Sequence, residues 1–246
     1  MKIVFFGVGA VCSVMATLLD ELSNKSKQKD INFVFVVRNI KKAQGHFFKN
    51  SNILNKSDFL EIKHFEEIFE DSKKYEKYLQ NSDIFINSST PSFNLPIMNL
   101  ALKYNTNYAD LASDIYKDEI ISTLKFDQQI LENEFKSQNL FALINLGISP
   151  GITNFLIGEK IHSLKNLPYE VKIKKLEINL LEEIQSKKLI FSWSPKVAID
   201  ELAFPPVFYK KNRPKTIEPF SKSKVYKFPY FRNIVDIYPV FLKLKI

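Results

Sequence analysis

A chain of 246 residues has room for one or two cored domains, and 45% apolar with 25% charged residues is a folded rather than a disordered composition. The formal charge of +8 is spread along the chain as lysines interleaved with acids, with no dense basic arm, so nucleic acid is not an expected partner. A single cysteine, Cys12, excludes an intrachain disulfide and a thiolate metal cluster; His46, His64 and His162 share no ligand spacing, so no metal is expected.

The opening apolar run, KIVFF (2–6), lacks a preceding basic region and is far shorter than the roughly 20 apolar residues of a membrane span. It reads as a strand, with the cytoplasm as the expected location and no membrane contact. AVCSVMATLLDEL (10–22) reads as a helix, FVFVV (33–37) as a second strand, and 40–49 as a helix-compatible stretch. DFLEI (58–62) is a third strand, followed by a helix through 66–80. DIFINSS (83–89), NYADL (107–111) and LFALINL (140–146) are three more strands, with helices over 96–104 and 115–136. Strands apolar on both faces and alternating with helices predict an α/β fold: a Rossmann-type, doubly wound parallel sheet over residues 1–150. After that the pattern changes. EVKIKKLEINLL (170–181) alternates as a half-exposed strand does, and KKLIFSW, KVYKFPYF and VFLKLKI are further strand candidates broken by prolines. Residues 151–246 are therefore expected to form an α+β second domain.

Gly7-Val8-Gly9-Ala10-Val11-Cys12 stands between the first strand and its helix, where a G-x-G-x-x-G turn would stand. The first glycine permits the turn, the second lets a pyrophosphate reach the main chain, and the helix start supplies free N–H groups and partial positive charge. Cys12 occupies the third position, so the match is partial. Gly7, Gly9, Ala10 and Val11 are the candidate diphosphate contacts. At the second strand's end NAD sites present an acid to the ribose; here stand Arg38 and Asn39, and a guanidinium suits a 2′-phosphate. NADP is therefore expected over NAD.

Ligands of open parallel sheets lie outside the carboxyl ends of the strands. Ser88, Ser89 and Thr90, after the fourth strand, are candidates to line the nicotinamide side. Asp110, at the end of the fifth, is the candidate for orienting an ammonium group or moving a proton; capping the next segment is its other reading. Ser149, Pro150, Gly151 and Asn154, after the sixth, are substrate candidates, with Ser149 as helix N-cap and Pro150 in the first turn.

Four stretches carry a likeness: GVGAV, INSSTPSFNLPIMNLALKYNTNYADLA, LGISPGITNFLIG and FSWSPKVAIDELAFPP. Together they resemble the saccharopine dehydrogenase/reductase family, which includes saccharopine reductases, lysine 6-dehydrogenases and carboxynorspermidine dehydrogenases. The resemblance runs from residue 1 to roughly 240. It implies a Rossmann domain joined to an α+β substrate domain that often carries a dimer contact, making a homodimer an expectation. It also implies hydride transfer between NAD(P) and a C–N bond of an amino acid or its imine. Two departures stand out. Saccharopine reductases carry an aspartate where this chain has Ser149, and by the family's plan the chain ends within its second domain. A non-catalytic or truncated NAD(P)-binding relative, acting as cofactor sensor or subunit, is the alternative expectation.

Overall fold

The computed structural model describes residues 1–26, 30–47, 51–113, 127–149, 151–183, 185–191, 195–210 and 213–239. They fall into two units that divide between Gly147 and Ile148.

The first unit is built on six parallel strands: β1 (Lys2–Phe6), β2 (Asn32–Val37), β3 (Ser57–Glu61), β4 (Ile84–Asn87), β5 (Asn107–Asp110) and β6 (Ala142–Leu143). Their order across the sheet is β3-β2-β1-β4-β5-β6, the Rossmann order, with every pair parallel. The chain leaves β1 toward one edge and returns to place β4 on its other side, which opens a crevice at the carboxyl end of β1.

Strand side chains alternate between faces, and here both faces are buried. Val4, Phe6, Val34, Val36, Phe85 and Tyr108 enter one core layer, under α4 (Glu66–Glu70) and α6 (Asn94–Lys103). Ile3, Phe5, Phe33, Phe35, Val37, Ile86 and Ala109 enter the other, with Cys12 and Ala16 of α1 (Ala10–Ser26), Ala43 of α2 (Ile40–Gly45) and Ile53 of α3 (Ser51–Asn55). Aromatic residues fill much of that second layer. Phe35 meets Phe5, Phe33, Phe47 and Phe59 at centroid separations of 5.0 to 5.9 Å.

Three expectations for this unit need correction or bounding. The helix expected over 66–80 is broken: α4 stops at Asp71 (φ −133°, ψ 71°), a 3-10 turn covers Ser72–Tyr75, and α5 (Glu76–Leu79) follows. Tertiary contacts account for the break, because Tyr104 OH donates to the Ser72 carbonyl (2.9 Å) and Lys103 Nζ to the Ser72 hydroxyl (2.7 Å). The helix over 40–49 ends as α2 at Gly45. That over 115–136 is a 3-10 turn (Asp127–Leu131) and α7 (Glu132–Ser137) where it lies in the described residues.

In the second unit, α8 (Ile152–Lys165) and α9 (Pro195–Ala203) accompany two antiparallel pairs, β7 (Val207–Lys210) with β8 (Arg213–Thr216) and β9 (Lys224–Lys227) with β10 (Ile234–Ile237). The strand expected over 170–181 does not form. No described segment pairs with it, and its apolar residues Val171, Ile173, Leu180 and Leu181 are exposed. Alternation is a strand signal only when a neighbour takes the backbone N–H and C=O groups. KKLIFSW likewise forms no strand in its described part (187–191), and 240–246 lies outside the described residues. Among the described residues, no helix is long and apolar enough to cross a membrane.

Phe35 is fully buried against four rings. Phe35→Ala is expected to destabilise the first unit by about 3–5 kcal/mol, read as a lowered urea midpoint with little change in slope.

Candidate functional site

β1 ends at Phe6, and the chain turns on Gly7, whose N–H donates to the Val36 carbonyl (2.9 Å) and whose φ is +93°. Side chains rarely adopt that conformation. A Cβ on Gly7 would also stand 2.8 Å from Ser89 Cβ. The fold itself therefore requires this glycine. Gly9 differs: its φ is not positive, and a Cβ built there meets nothing within 4 Å. No clash asks for glycine at position 9, although as the N-cap of α1 it is a residue that position favours, and the space in front of it is open.

α1 begins directly beyond. Its first α-helical bond runs from Ser13 N–H to the Gly9 carbonyl (3.0 Å), so the N–H groups of Ala10, Val11 and Cys12 precede the ladder. Ala10 and Val11 are exposed, and no first-turn residue is acidic. A 17-residue helix carries partial positive charge at this end. Main-chain N–H groups, a helix start and space that a Cβ would fill suit a phosphate group. Cys12, at the third glycine position, is buried beneath. Burial pushes its thiol up to about 12, with a Ser88 hydrogen bond opposing, so at neutral pH it stays protonated and serves as a small packing residue.

Across the sheet from β4, the end of β2 presents Arg38 and Asn39, both exposed. The Asn39 side chain accepts Lys42 N–H (2.8 Å) and so caps α2. That bond occupies its carbonyl oxygen, and Arg38 stands exposed at this edge with Lys41 and Lys42 of α2 close behind it in the chain.

β4 ends on a buried asparagine. Asn87 Nδ2 donates to the Thr90 carbonyl (3.1 Å) and to Asn94 Oδ1 (2.6 Å), and its Oδ1 accepts both the N–H (3.0 Å) and the hydroxyl (2.7 Å) of Ser89. Asn94 Oδ1 also accepts Tyr108 OH (3.0 Å), and Asn94 Nδ2 donates to the Ala112 carbonyl (2.8 Å). The Ser88 hydroxyl donates to the Gly7 carbonyl (2.7 Å). Ser88 and Ser89 thus spend their hydroxyls inside the fold, while exposed Thr90 shares a hydrogen bond with Ser92 (2.9 Å).

Asp110 is also enclosed, at 1% exposure. Its carboxylate accepts Asn145 N–H (2.8 Å) and the side-chain amide of Gln128, while Asn145 Oδ1 accepts Ser113 N–H (2.7 Å). Asn145 itself sits at φ +62°. The carboxylate therefore ties the exit of β5 to that of β6 and to the Asp127–Leu131 turn.

The remaining candidates lie in the second unit. α8 starts two residues later than expected: Gly151, at φ +134°, precedes it, and Ser149 is not its N-cap. Asn154 Oδ1 accepts Gly151 N–H (3.2 Å), and Thr153 OH lies 3.3 Å from the Ser149 hydroxyl. Pro150 lies outside the described residues.

A parallel sheet in this order, with a glycine turn at the end of β1, defines a Rossmann-type domain. The chain belongs to the saccharopine dehydrogenase NADP binding domain family, whose model matches residues 3–143. No curated protein sequence matches it. Among solved structures, it is similar to apo histidine-tagged saccharopine dehydrogenase (L-Glu forming) from Saccharomyces cerevisiae, at 17% identity and TM-score 0.62, covering 97% of this chain and 49% of that one. Homospermidine synthase from Legionella pneumophila in complex with NAD gives 13% identity and TM-score 0.61, covering 97% and 58%. At these identities the likeness is one of fold, and the chain spans about half the length of both structures.

The sequence pointed to Tyr108 beside Asp110 at the end of the fifth strand, but not to Asn87, Asn94 and Asn145. One signal was available: a strand of four residues, Ile84–Asn87, closing on an amide that strands disfavour. The two glycines should separate cleanly. Gly7→Ala is expected to destabilise by about 1–3 kcal/mol, and Gly9→Ala, which gives up only a favoured N-cap residue, by less than about 1 kcal/mol, read from the urea midpoints.

Proposed function

We propose that this chain is the cofactor-binding part of an NAD(P)-dependent oxidoreductase that transfers hydride to or from a C–N bond of an amino acid or its imine. The observation that carries the reading is the exit of β1, where the open space at Gly9 lies beside helix N–H groups that precede the ladder. A pyrophosphate at Gly7–Val11 fits that opening and takes those N–H groups. When bound, the nicotinamide cofactor provides the hydride chemistry.

The chain's own residues bind and orient. Gly9 admits the diphosphate, and Ala10 and Val11 donate main-chain N–H groups to it. Arg38 pairs with a 2′-phosphate, which favours NADP over NAD and is supported by its exposure at the end of β2. Asp110, buried and hydrogen-bonded, orders the exits of β5 and β6 rather than moving a proton. An iminium carbon already carries the charge that draws hydride, so a strong general acid is not required of the chain. The turn at Ser149, Gly151 and Asn154 is proposed to hold a substrate carboxylate. The cytoplasm is the proposed location.

Titration calorimetry with NADPH and NADH tests this reading. Gly9→Val is expected to weaken NADPH at least about 100-fold, about 2.7 kcal/mol, with the folded state retained and the melting temperature lowered only by the loss of the N-cap glycine. Arg38→Ala is expected to weaken NADPH about tenfold and NADH hardly at all. Unaltered NADPH affinity in Gly9→Val would refute the site. Turnover of NADPH with amine and 2-oxo-acid mixtures then separates an enzyme from a chain that only binds.

A further inference from the structure

The β4 exit is the least ordinary part of the first unit. A parallel strand in the middle of a sheet ends on a side chain whose amide makes four hydrogen bonds, all inside the protein. Asn87 and Asn94 are 3% and 1% exposed, so neither touches a ligand directly. Between them they hold five points: the N–H and hydroxyl of Ser89, the Thr90 carbonyl, Tyr108 OH and the Ala112 carbonyl. Buried amides satisfied in this way fix one backbone path, because any other leaves donors and acceptors unpaired in a low-dielectric interior.

The path they fix is residues 88–93, which the sheet order places on the side of β1 opposite β2. If β2 serves the adenosine half of a dinucleotide laid across β1, the β4 exit faces the other half. Ser89 packs where a Gly7 side chain would stand, so a shift of this segment is a shift against the phosphate turn.

We infer that Asn87 and Asn94 are paired positioning residues, which hold the 88–93 segment in register with the nicotinamide half of the bound dinucleotide. This rests on the dinucleotide reading above. The pair contributes nothing to the adenosine half, which lies beyond β1. Its effect on affinity is therefore selective for ligands that reach past the diphosphate.

Two probes exploit that selectivity: NADPH, and adenosine 2′,5′-bisphosphate, which carries only the adenosine-side phosphate of the diphosphate and nothing of the nicotinamide half. Asn87→Asp keeps the shape and the acceptor to Ser89 but loses both donors. It is expected to weaken NADPH about tenfold and the bisphosphate by less than about twofold, and to return the emission of bound NADPH toward that of the free cofactor. Tyr108→Phe acts through Asn94 from a fully buried ring and carries the same test should Asn87→Asp not fold. It is expected to weaken NADPH about threefold and leave the bisphosphate unchanged. Equal loss of both ligands, or no loss of either, overturns the positioning role while the dinucleotide site stands. A parent protein that binds neither probe overturns the dinucleotide reading and this inference with it.

Discussion

Gly7 and Ser89 occupy each other's space. The chain leaves β1 at a φ of +93°, and Ser89 fills the volume a side chain would take. This contact brings the exits of β1 and β4 together, and the Ser88 hydroxyl on the Gly7 carbonyl secures it. The start of α1, the open space at Gly9 and the path of residues 88–93 all follow from how closely those two strand exits approach.

Below that contact, the carboxyl edge of the sheet is a layer of buried polar groups. Asn87 and Asn94 join the exits of β4 and β5, and Asp110 and Asn145 join those of β5 and β6. Each group has its partners within the fold, which keeps the cost of burying it low and makes its geometry singular. The proposed cofactor surface therefore rests on amides and a carboxylate that are almost wholly enclosed. It also explains why an aspartate at a strand end need not be a catalytic acid: Asp110 is 1% exposed.

The parallel sheet was legible because its strands are apolar on both faces and alternate with helices. KIVFF, FVFVV and DIFIN could hardly be anything else, and GVGAV placed the first turn. The second unit was legible in part: KVYKFPYF contains β9, and helices with antiparallel strands match the α+β expectation. EVKIKKLEINLL has the alternation of a strand, yet pairing depends on a neighbour that no local pattern specifies. At the site, residue types were read as exposed chemistry, and the structure spends several of them internally: the hydroxyls of Ser88 and Ser89, the Asn39 side chain on α2 and the Asp110 carboxylate. A single sequence shows which groups can form hydrogen bonds. Whether solvent or the fold takes them is decided by the tertiary path. Gly9 is set apart by its place: its open space lies beside the first N–H groups of α1 at the exit of β1, whereas the equally open Gly45 and Gly158 lie within α2 and α8.

The family membership and the Rossmann order agree on what the first unit is, and the central claim concerns where on it a dinucleotide sits. Backbone amide NMR during titration with NADP⁺ reads that location directly. The largest shifts are expected on Gly9, Ala10, Val11 and Cys12, saturating together with those of Thr90. Shifts that leave these amides unmoved while the ligand binds would contradict the central claim.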